Sequence, residues 1–189
     1  MENDKKEYKP DPSLNDRLLK TRTVMISGEI NRDRADEFAR QMLVLDSESS
    51  EPIYVYINSP GGDVDSGFAI YDMIRFVNSP VTVIAMGLVA SAAALIYLSV
   101  PVERRVALPD STFLIHQPLS QLKGVAIDVA IYADKIEQLR HKLDQVIADA
   151  VGKTRDEVEA NTERDYWMSA EEAKAYGILS RIVKSRAEL

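Results

Sequence analysis

The chain has 189 residues, of which 46% are hydrophobic and 28% charged, and its formal net charge at pH 7 is −7. That length suffices for one domain with a sizeable core and is short for two independent ones. The negative charge argues against nucleic-acid binding, which needs clustered Lys and Arg. Because there is no cysteine, disulfides, cysteine-ligated zinc and a thiol nucleophile are excluded, and two histidines are too few for a multi-histidine metal site.

The first sixteen residues form a polar segment. They contain no apolar stretch of the kind that marks a secretory signal, so a cytoplasmic location is the default expectation. Pro10 and Pro12 oppose regular structure in this segment. We therefore predict a polar N-terminal tail over residues 1–16 and a single domain over residues 17–189.

Strand and helix patterns alternate through the first half of the chain. The β-branched run Thr23–Ile26 predicts a strand, and apolar residues at helical spacing follow it, with Asn31 as a candidate cap. Ile53–Ile57 predicts a second strand, which ends in the turn sequence NSPGGD at residues 58–63 before another helical pattern. This alternation predicts an α/β fold with parallel strands and right-handed crossovers.

The most apolar segment, Val81–Leu98, carries one conspicuous hydroxyl group, that of Ser91. Its composition and the charged residues on both sides disfavour a membrane span. The segment predicts a buried strand, a tight turn at Met86-Gly87 and a buried helix, and two more strands are expected over residues 106–108 and 112–115. Ser91 then lies where α/β proteins place reacting groups. On this segment alone, a small serine that only allows close helix packing is the simpler interpretation.

A long helical pattern follows Gly124. Its apolar residues recur at alternating spacings of four and three, at Val125, Val129, Tyr132, Ile136, Leu139, Leu143, Val146 and Ala150. Such a stripe exceeds what a helix lying on its own sheet needs. We therefore predict a projecting helix whose stripe is buried against another copy of the chain, with a long core helix as the alternative.

The last forty residues or so predict two shorter helices. Each begins with a capping box, in which a hydroxyl and a glutamate three residues later satisfy each other's backbone N–H groups. The two boxes are Thr154 with Glu157 and Ser169 with Glu172. We expect the second helix to end at Gly177, before a final strand over residues 178–183.

Candidates exist for each part of a serine hydrolase site. Such a site needs a neutral imidazole, a carboxylate to orient it and backbone donors for an oxyanion. His116 ends a predicted strand, whereas His141 is expected to be a solvated residue of the long helix. Asp165 stands out only modestly among thirty acidic residues, and Gly61-Gly62 could present N–H groups to an anion. From the residues alone, structural roles for all of these stay open.

Four segments carry a family resemblance: YINSPGG at 56–62, MGLVAS at 86–91, IHQP at 115–118 and TERD at 162–165. In this order and at these separations they closely resemble the proteolytic subunit of the Clp protease, ClpP. The likeness runs from about residue 17 to residue 183. It implies the α/β ClpP/crotonase fold of repeated β-β-α units, with a projecting helical handle at about residues 120–150. Fourteen copies would form two stacked heptameric rings around a chamber.

The resemblance implies a serine-type endopeptidase. Ser91 would be the nucleophile, His116 the general base and Asp165 the carboxylate that orients the base. The backbone N–H groups of Gly62 and Ala92 would hold the oxyanion. The substrates would be unfolded polypeptides.

The resemblance also implies partners. Glu163 and Arg164 would bridge the two rings. An apolar pocket at the ring edge would receive loops of a hexameric AAA+ unfoldase of the ClpX, ClpA or ClpC type; it would comprise Tyr54, Tyr56, Phe76, Ile84, Met86 and Leu108. No cofactor is expected, because ATP would be used by the unfoldase and this chain has no phosphate-binding G-x-x-x-x-G-K-[ST] loop. No nucleic-acid or membrane partner is expected.

Two departures from the family pattern suggest alternatives. After Ser91 the family usually has Met-Gly-Ala, where this chain has Ala92-Ala93-Ala94, and the usual apolar N-terminal stretch is polar here. Such divergence occurs among second, paralogous ClpP subunits, which form mixed rings or depend on a partner for activity. A regulatory or structural ring subunit that needs a paralogue is therefore the first alternative. A crotonase-like acyl-CoA enzyme is the second, and it gives no role to His116 or Asp165.

Overall fold

The computed structural model describes residues 12–119 and 124–189. The elements in chain order are α1 (Pro12–Lys20), β1 (Thr23–Ser27), α2 (Arg32–Glu48), β2 (Ile53–Ser59), α3 (Val64–Phe76), β3 (Val81–Ala90), α4 (Ala92–Tyr97), β4 (Arg105–Ala107), β5 (Thr112–Ile115), α5 (Ala126–Val151), α6 (Arg155–Thr162), β6 (Tyr166–Ser169), α7 (Ala170–Tyr176) and β7 (Arg181–Ile182). Two short 3-10 turns, Val102–Arg104 and Arg186–Glu188, complete them.

In the part of the chain that the structure describes, seven strands form one sheet. Five strands run parallel in the order β1-β2-β3-β4-β7. β5 also pairs in parallel with β3, and β6 pairs antiparallel with β5. The predicted α/β architecture with parallel strands is therefore confirmed. β6 had no clear strand pattern in the sequence, because only Met168 of its four residues is buried.

The predicted turn at Met86-Gly87 is wrong, because β3 continues through it to Ala90. Gly87 has a φ of 63°, and the register against β2 shifts between Ile57 and Ser59, so the strand changes direction without ending. The first half of β3 pairs with β4 and the second half pairs with β5. The strand thus delivers Ser91 directly to the N-terminus of α4.

The two ends of the chain differ in part from the prediction. Regular structure begins within the predicted polar tail, because α1 begins at Pro12, where the fixed φ of proline suits a first helical turn. Residues 1–11 lie outside the described residues. The final strand, expected over residues 178–183, contains only Arg181 and Ile182. Both capping boxes are confirmed, and Gly177 ends α7 with a left-handed φ of 100°.

The core lies between the sheet and its helices, and α4 is its most enclosed helix. All six residues of α4 are buried. Small side chains allow this close packing, since a Cβ atom at Gly67 of α3 would lie 3.2 Å from Cβ of Ala92. The chain segment that follows Ser91 is therefore held firmly by packing on every side.

Helix α5 projects from this core. Its C-terminal part packs against α4 and α6, with Ile147 and Ala148 buried. Large apolar side chains near its N-terminal end are exposed instead: Val125, Ile127, Ile131 and Tyr132. This supports a projecting helix over a long core helix. The first residues of the predicted handle, 120–123, lie outside the described residues, and among the described helices none is long and apolar enough to cross a membrane.

Candidate active site

Ser91 has an unusual backbone conformation. Its φ is 55° and its ψ is −123°, in a region that residues other than glycine rarely adopt. Its N–H donates to the carbonyl oxygen of Leu114 at 2.9 Å, and its own carbonyl oxygen accepts from Ala94 at 2.9 Å. Such strain costs about 1–3 kcal/mol and persists only where the surroundings enforce it, commonly at functional sites.

The side chains of Ser91, His116 and Asp165 form a hydrogen-bonded line. Nε2 of His116 lies 2.9 Å from Oγ of Ser91. Nδ1 of His116 lies 3.1 Å from Oδ1 of Asp165. The side chain of His116 is 13% exposed and that of Asp165 is 60% exposed. With Nδ1 protonated towards Asp165, Nε2 is free to accept the hydroxyl proton of Ser91, which is the geometry of a serine nucleophile and its base.

The register of three strands produces this convergence. Ala90 of β3 pairs with Leu114 of β5, and Ser91 and His116 each follow the last residue of their strand, so both emerge at the same edge of the sheet. β6 runs antiparallel to β5 and its first residue, Tyr166, pairs with Ile115. Asp165, which immediately precedes β6, is thereby brought beside His116.

The glycine turn after β2 packs directly on Ser91. Gly61 and Gly62 have φ values of 90° and 149°. A Cβ atom at Gly61 would lie 2.6 Å from the carbonyl oxygen of Ala90 and 2.7 Å from Cβ of Ser91, so only glycine fits. Ile30 fixes the turn by donating to Gly61 at 2.8 Å and accepting from Asp63 at 2.9 Å.

Two backbone N–H groups beside Ser91 are available to a ligand. Ala92 is the first residue of α4, so its N–H has no partner within the helix. Within the described ranges, neither this group nor the N–H of Gly62 donates to a protein acceptor. Oriented donors of this kind can stabilise a negative oxygen. The family resemblance had assigned both N–H groups to the oxyanion. In the structure, the glycine turn that contains Gly62 contacts the start of α4, which contains Ala92.

A small cavity of about 30 Å³ adjoins the serine. Ser91 and His116 line it together with apolar residues of α4 and α5, such as Leu95 and Leu143. A larger cavity of about 340 Å³ lies between α1, β1 and α2 and includes none of the candidate catalytic residues. The smaller cavity is therefore the relevant one, since it touches the reactive hydroxyl.

Gln117 is a site residue that sequence reasoning missed. Its backbone N–H donates to the carbonyl oxygen of Thr162 at 2.7 Å, and its side-chain amide donates to that of Glu163 at 2.8 Å. It therefore ties the segment that carries His116 to the segment that carries Asp165. The only available signal was its position directly after the histidine.

His141 takes no part in this arrangement. Its Nε2 lies 3.4 Å from Oε1 of Glu137 on the same helix, and its side chain is 42% exposed. The expectation of a solvated helix residue is correct only in part, because Nδ1 is buried and has no hydrogen-bond partner among the described residues.

Four of the six predicted docking residues lie in one small apolar cluster. Ile84 is buried with Val106 and Val183, and partly buried neighbours pack against them: Tyr54, Tyr56, Leu108 and Leu189. Phe76, at the end of α3, is 73% exposed, and Met86 is half-buried; neither belongs to the cluster. The sequence reasoning missed the valines and Leu189.

Glu163 and Arg164 are both exposed, directly after α6. Within residues 12–119 and 124–189, neither side chain forms an ion pair. A bridging role for them therefore requires a second copy of the chain, and it stays a prediction.

The site combines a strained serine at the end of a strand with a histidine that links it to a carboxylate. Backbone N–H donors lie beside the serine. This is the geometry of a serine hydrolase site. The family model for Clp protease matches residues 7–186. The chain belongs to the Clp protease family. The predicted resemblance to ClpP is confirmed.

Relatives and a solved structure agree with this assignment. The chain is 46% identical over 189 residues to ATP-dependent Clp protease proteolytic subunit 2 of Treponema denticola, covering 100% of this chain and 94% of that protein. Subunit 2 of Treponema pallidum is 49% identical over 174 residues, covering 92% and 87%. A mutant of ClpP1 from Listeria monocytogenes matches with a TM-score of 0.86 and 40% identity, covering 92% of this chain and 98% of that one. The predicted ClpP fold is therefore confirmed.

Proposed function

We propose that this chain is a serine endopeptidase subunit that hydrolyses peptide bonds of unfolded polypeptides inside a barrel of two stacked heptameric rings. One observation carries the proposal. Oγ of Ser91, the imidazole of His116 and the carboxylate of Asp165 lie in a line of two contacts, 2.9 Å and 3.1 Å long. Membership of the Clp protease family supports the same reaction class.

The geometry accounts for acyl transfer step by step. Oγ of Ser91 attacks the peptide carbonyl carbon while its proton passes to Nε2 of His116, and Asp165 stabilises the imidazolium through Nδ1–H. The N–H groups of Gly62 and Ala92 bind the oxyanion. The C–N bond then breaks as Nε2 returns the proton to the leaving amine. Water, deprotonated by the same imidazole, hydrolyses the acyl ester and restores Ser91.

The proposed assembly accounts for surfaces that a single copy leaves open. The exposed apolar end of α5, including Ile131 and Tyr132, supports burial against the opposite ring. Exposed Glu163 and Arg164 would pair across that interface. The apolar cluster around Ile84 would receive loops of an AAA+ unfoldase of the ClpX, ClpA or ClpC type, which would use the ATP. A cytoplasmic location remains part of the proposal.

Labelling of the nucleophile tests the proposal. The purified chain, alone and mixed with a ClpP paralogue, is treated with a fluorophosphonate, and its native mass is measured in the same samples. We expect Ser91 to be labelled and a fluorogenic peptide to be cleaved in particles of fourteen subunits. Resistance of Ser91 to the reagent in every assembled state would contradict the proposal.

A regulatory or structural ring subunit that needs a paralogue is the second candidate. The numbered names of the relatives favour it, since both Treponema proteins are called proteolytic subunit 2. Ala92-Ala93-Ala94 after the serine also departs from the family pattern. Mixing experiments separate the two functions: a homomeric particle that cleaves peptide excludes dependence on a paralogue, whereas activity found only in mixed rings supports it.

The crotonase-like alternative has less support. It gives no role to His116 and Asp165, which nevertheless align on Ser91. Binding of coenzyme A, measured by titration calorimetry, would favour it. We expect no heat of binding above that of dilution.

A further inference from the structure

Helix α5 carries a buried carboxylate that does not itself contact the proposed catalytic groups. Asp144 of α5 is 1% exposed, and its Oδ1 accepts a hydrogen bond of 2.7 Å from Oγ1 of Thr162, which is fully buried at the end of α6. Oδ2 is buried and has no hydrogen-bond partner among the described residues. Burying a carboxylate that is only half satisfied is unfavourable, so packing alone does not explain it.

The charges around Asp144 compensate it only in part. Nε of Arg140, one turn earlier on α5, lies 3.9 Å from Oδ2, but the guanidinium is shared with Glu159 at 3.2 Å and Glu137 at 3.9 Å. Burial raises the pKa of Asp144, and the bond from Thr162 offsets this effect in part. An apolar pair would fill the same space without this cost, which suggests that the bond to Thr162 has a specific task.

Hydrogen bonds connect Asp144, through Thr162, to Gln117, which is covalently joined to His116. The side chain of Thr162 binds Asp144, and its backbone carbonyl oxygen accepts a hydrogen bond of 2.7 Å from the N–H of Gln117. The carbonyl oxygen of the next residue accepts from the side chain of Gln117 at 2.8 Å. Gln117 directly follows His116, and Asp165 lies three residues beyond Thr162. The two segments that must hold His116 and Asp165 together are therefore joined at Thr162.

Asp165 needs such an anchor. Its carboxylate is 60% exposed, and its contact with His116 is the only hydrogen bond that it makes to the part of the chain that the structure describes. Within the described residues, no second hydrogen bond holds the carboxylate against that imidazole. Its distance to Nδ1 must then be set by the backbone on which it sits, which begins at the buried end of α6.

We propose that Asp144 and Thr162 are positioning residues for the triad. Their hydrogen bond holds the end of α6 against α5 and, through Gln117, sets the distance between His116 and Asp165. The inference rests on the proposed serine peptidase function and adds to it two residues that do not touch the substrate.

Matched variants at each residue test the bond. At residue 162, Thr162→Val removes the hydroxyl at constant shape, whereas Thr162→Ser keeps the hydroxyl. At residue 144, Asp144→Leu removes the acceptor, whereas Asp144→Asn keeps a carbonyl acceptor without the charge. In rings of wild-type native mass, we expect Thr162→Val and Asp144→Leu to lower kcat by about 10-fold to 10²-fold, with KM nearly unchanged, as for misaligned catalytic groups. Thr162→Ser and Asp144→Asn should retain kcat within about twofold, because the bond persists.

A second measurement does not depend on activity. His116 and His141 are the only histidines, so in a His141→Asn background the imidazole N–H proton resonance reports His116 alone. We expect its downfield signal to be present in wild type and Thr162→Ser and to be lost in Thr162→Val. Variants that melt at lower temperature but keep both kcat and this signal would overturn the proposal. If Ser91 is unreactive in every assembly, the proposed function fails, and the resonance still decides whether Thr162 positions His116.

Discussion

Nε2 of His116 lies 2.9 Å from Oγ of Ser91, although 25 positions separate the two residues in the chain. The pairing of Leu114 with Ala90 brings them together, since each residue follows the end of its strand. The contact is thus a property of the sheet register. A serine held this close to an imidazole in a strained backbone is set up to lose its proton.

Replacement of the serine is the first test. Ser91→Ala should lower peptide cleavage by roughly 10⁴-fold or more and abolish fluorophosphonate labelling, because the nucleophile is removed. Ser99→Ala is a matched control, since Ser99 is buried and its hydroxyl has no hydrogen-bond partner in the described residues. Equal labelling of the wild type and of Ser91→Ala would show that another residue reacts.

Asp165→Asn tests the orientation of the imidazole. An amide donating to Nδ1 of His116 would leave the ring proton on Nε2, which then could not accept the proton of Ser91. We expect kcat to fall on the order of 10³-fold to 10⁴-fold with an unchanged fold, as measured by steady-state kinetics and circular dichroism. Asp156→Asn, at a side chain that is 91% exposed, should have no effect. A wild-type kcat in Asp165→Asn would remove Asp165 from the mechanism.

Gly61→Ala tests the glycine turn. The added methyl would collide with the carbonyl oxygen of Ala90 and with Cβ of Ser91. The turn must then move away from the serine, and we expect kcat to fall by about 10²-fold, comparable to the loss of one oxyanion donor. Gly152→Ala separates steric contact from backbone strain, since Gly152 also has a positive φ, 70°, but a Cβ atom there meets nothing within 4 Å. Equal kinetics in the two variants would refute the steric argument.

The buried carboxylate makes stability depend on pH. Burial raises the pKa of Asp144, so its contribution to stability is fully present below the ordinary carboxyl range and is lost as pH rises through the raised value. Asp144→Asn removes this loss. We expect the melting temperature of the variant to exceed that of the wild type at neutral pH, by a few degrees if about 1 kcal/mol of unfolding free energy is recovered. This gap between the two melting temperatures should close as the pH falls.

Scanning calorimetry at several pH values, in rings of equal native mass, measures that gap. Other charged or ionisable groups lie near Asp144: Arg140 and His141 on α5, Glu159 on α6 and Tyr176 of α7. An Asp156→Asn control, exposed at the start of α6, should show no pH-dependent gap. A gap that widens towards acid would mean that Asp144 is stabilised as a carboxylate.

Tyr132→Asp tests the association of rings. The side chain is 56% exposed near the free end of α5, and burying a new carboxylate in an apolar interface is unfavourable. We expect particles of half the native mass, measured by native mass spectrometry. Gln138→Asp adds the same charge at another exposed position of α5 and should leave the mass unchanged. Full-size particles of Tyr132→Asp would place the interface elsewhere.

Local patterns in the sequence were enough to predict most of the elements. Asn31, Thr154 and Ser169 each cap a helix as expected, because a cap depends on residues only three positions apart. The strands β1, β2 and β5 follow from runs of β-branched and apolar residues. Four short motifs in register, at residues 56–62, 86–91, 115–118 and 162–165, also sufficed to indicate the family.

The tertiary structure alone decided what depends on pairing between distant segments. Gly87 was predicted to end a strand, yet β3 passes through it, because β2 and β5 supply hydrogen bonds on either side of the irregularity. From the residues alone Asp165 stood out only modestly among thirty acidic residues, and the family resemblance was needed to single it out; the antiparallel pairing of β6 with β5 is what puts it beside His116. Strand register is set by contacts across the whole sheet, and the site is built on that register.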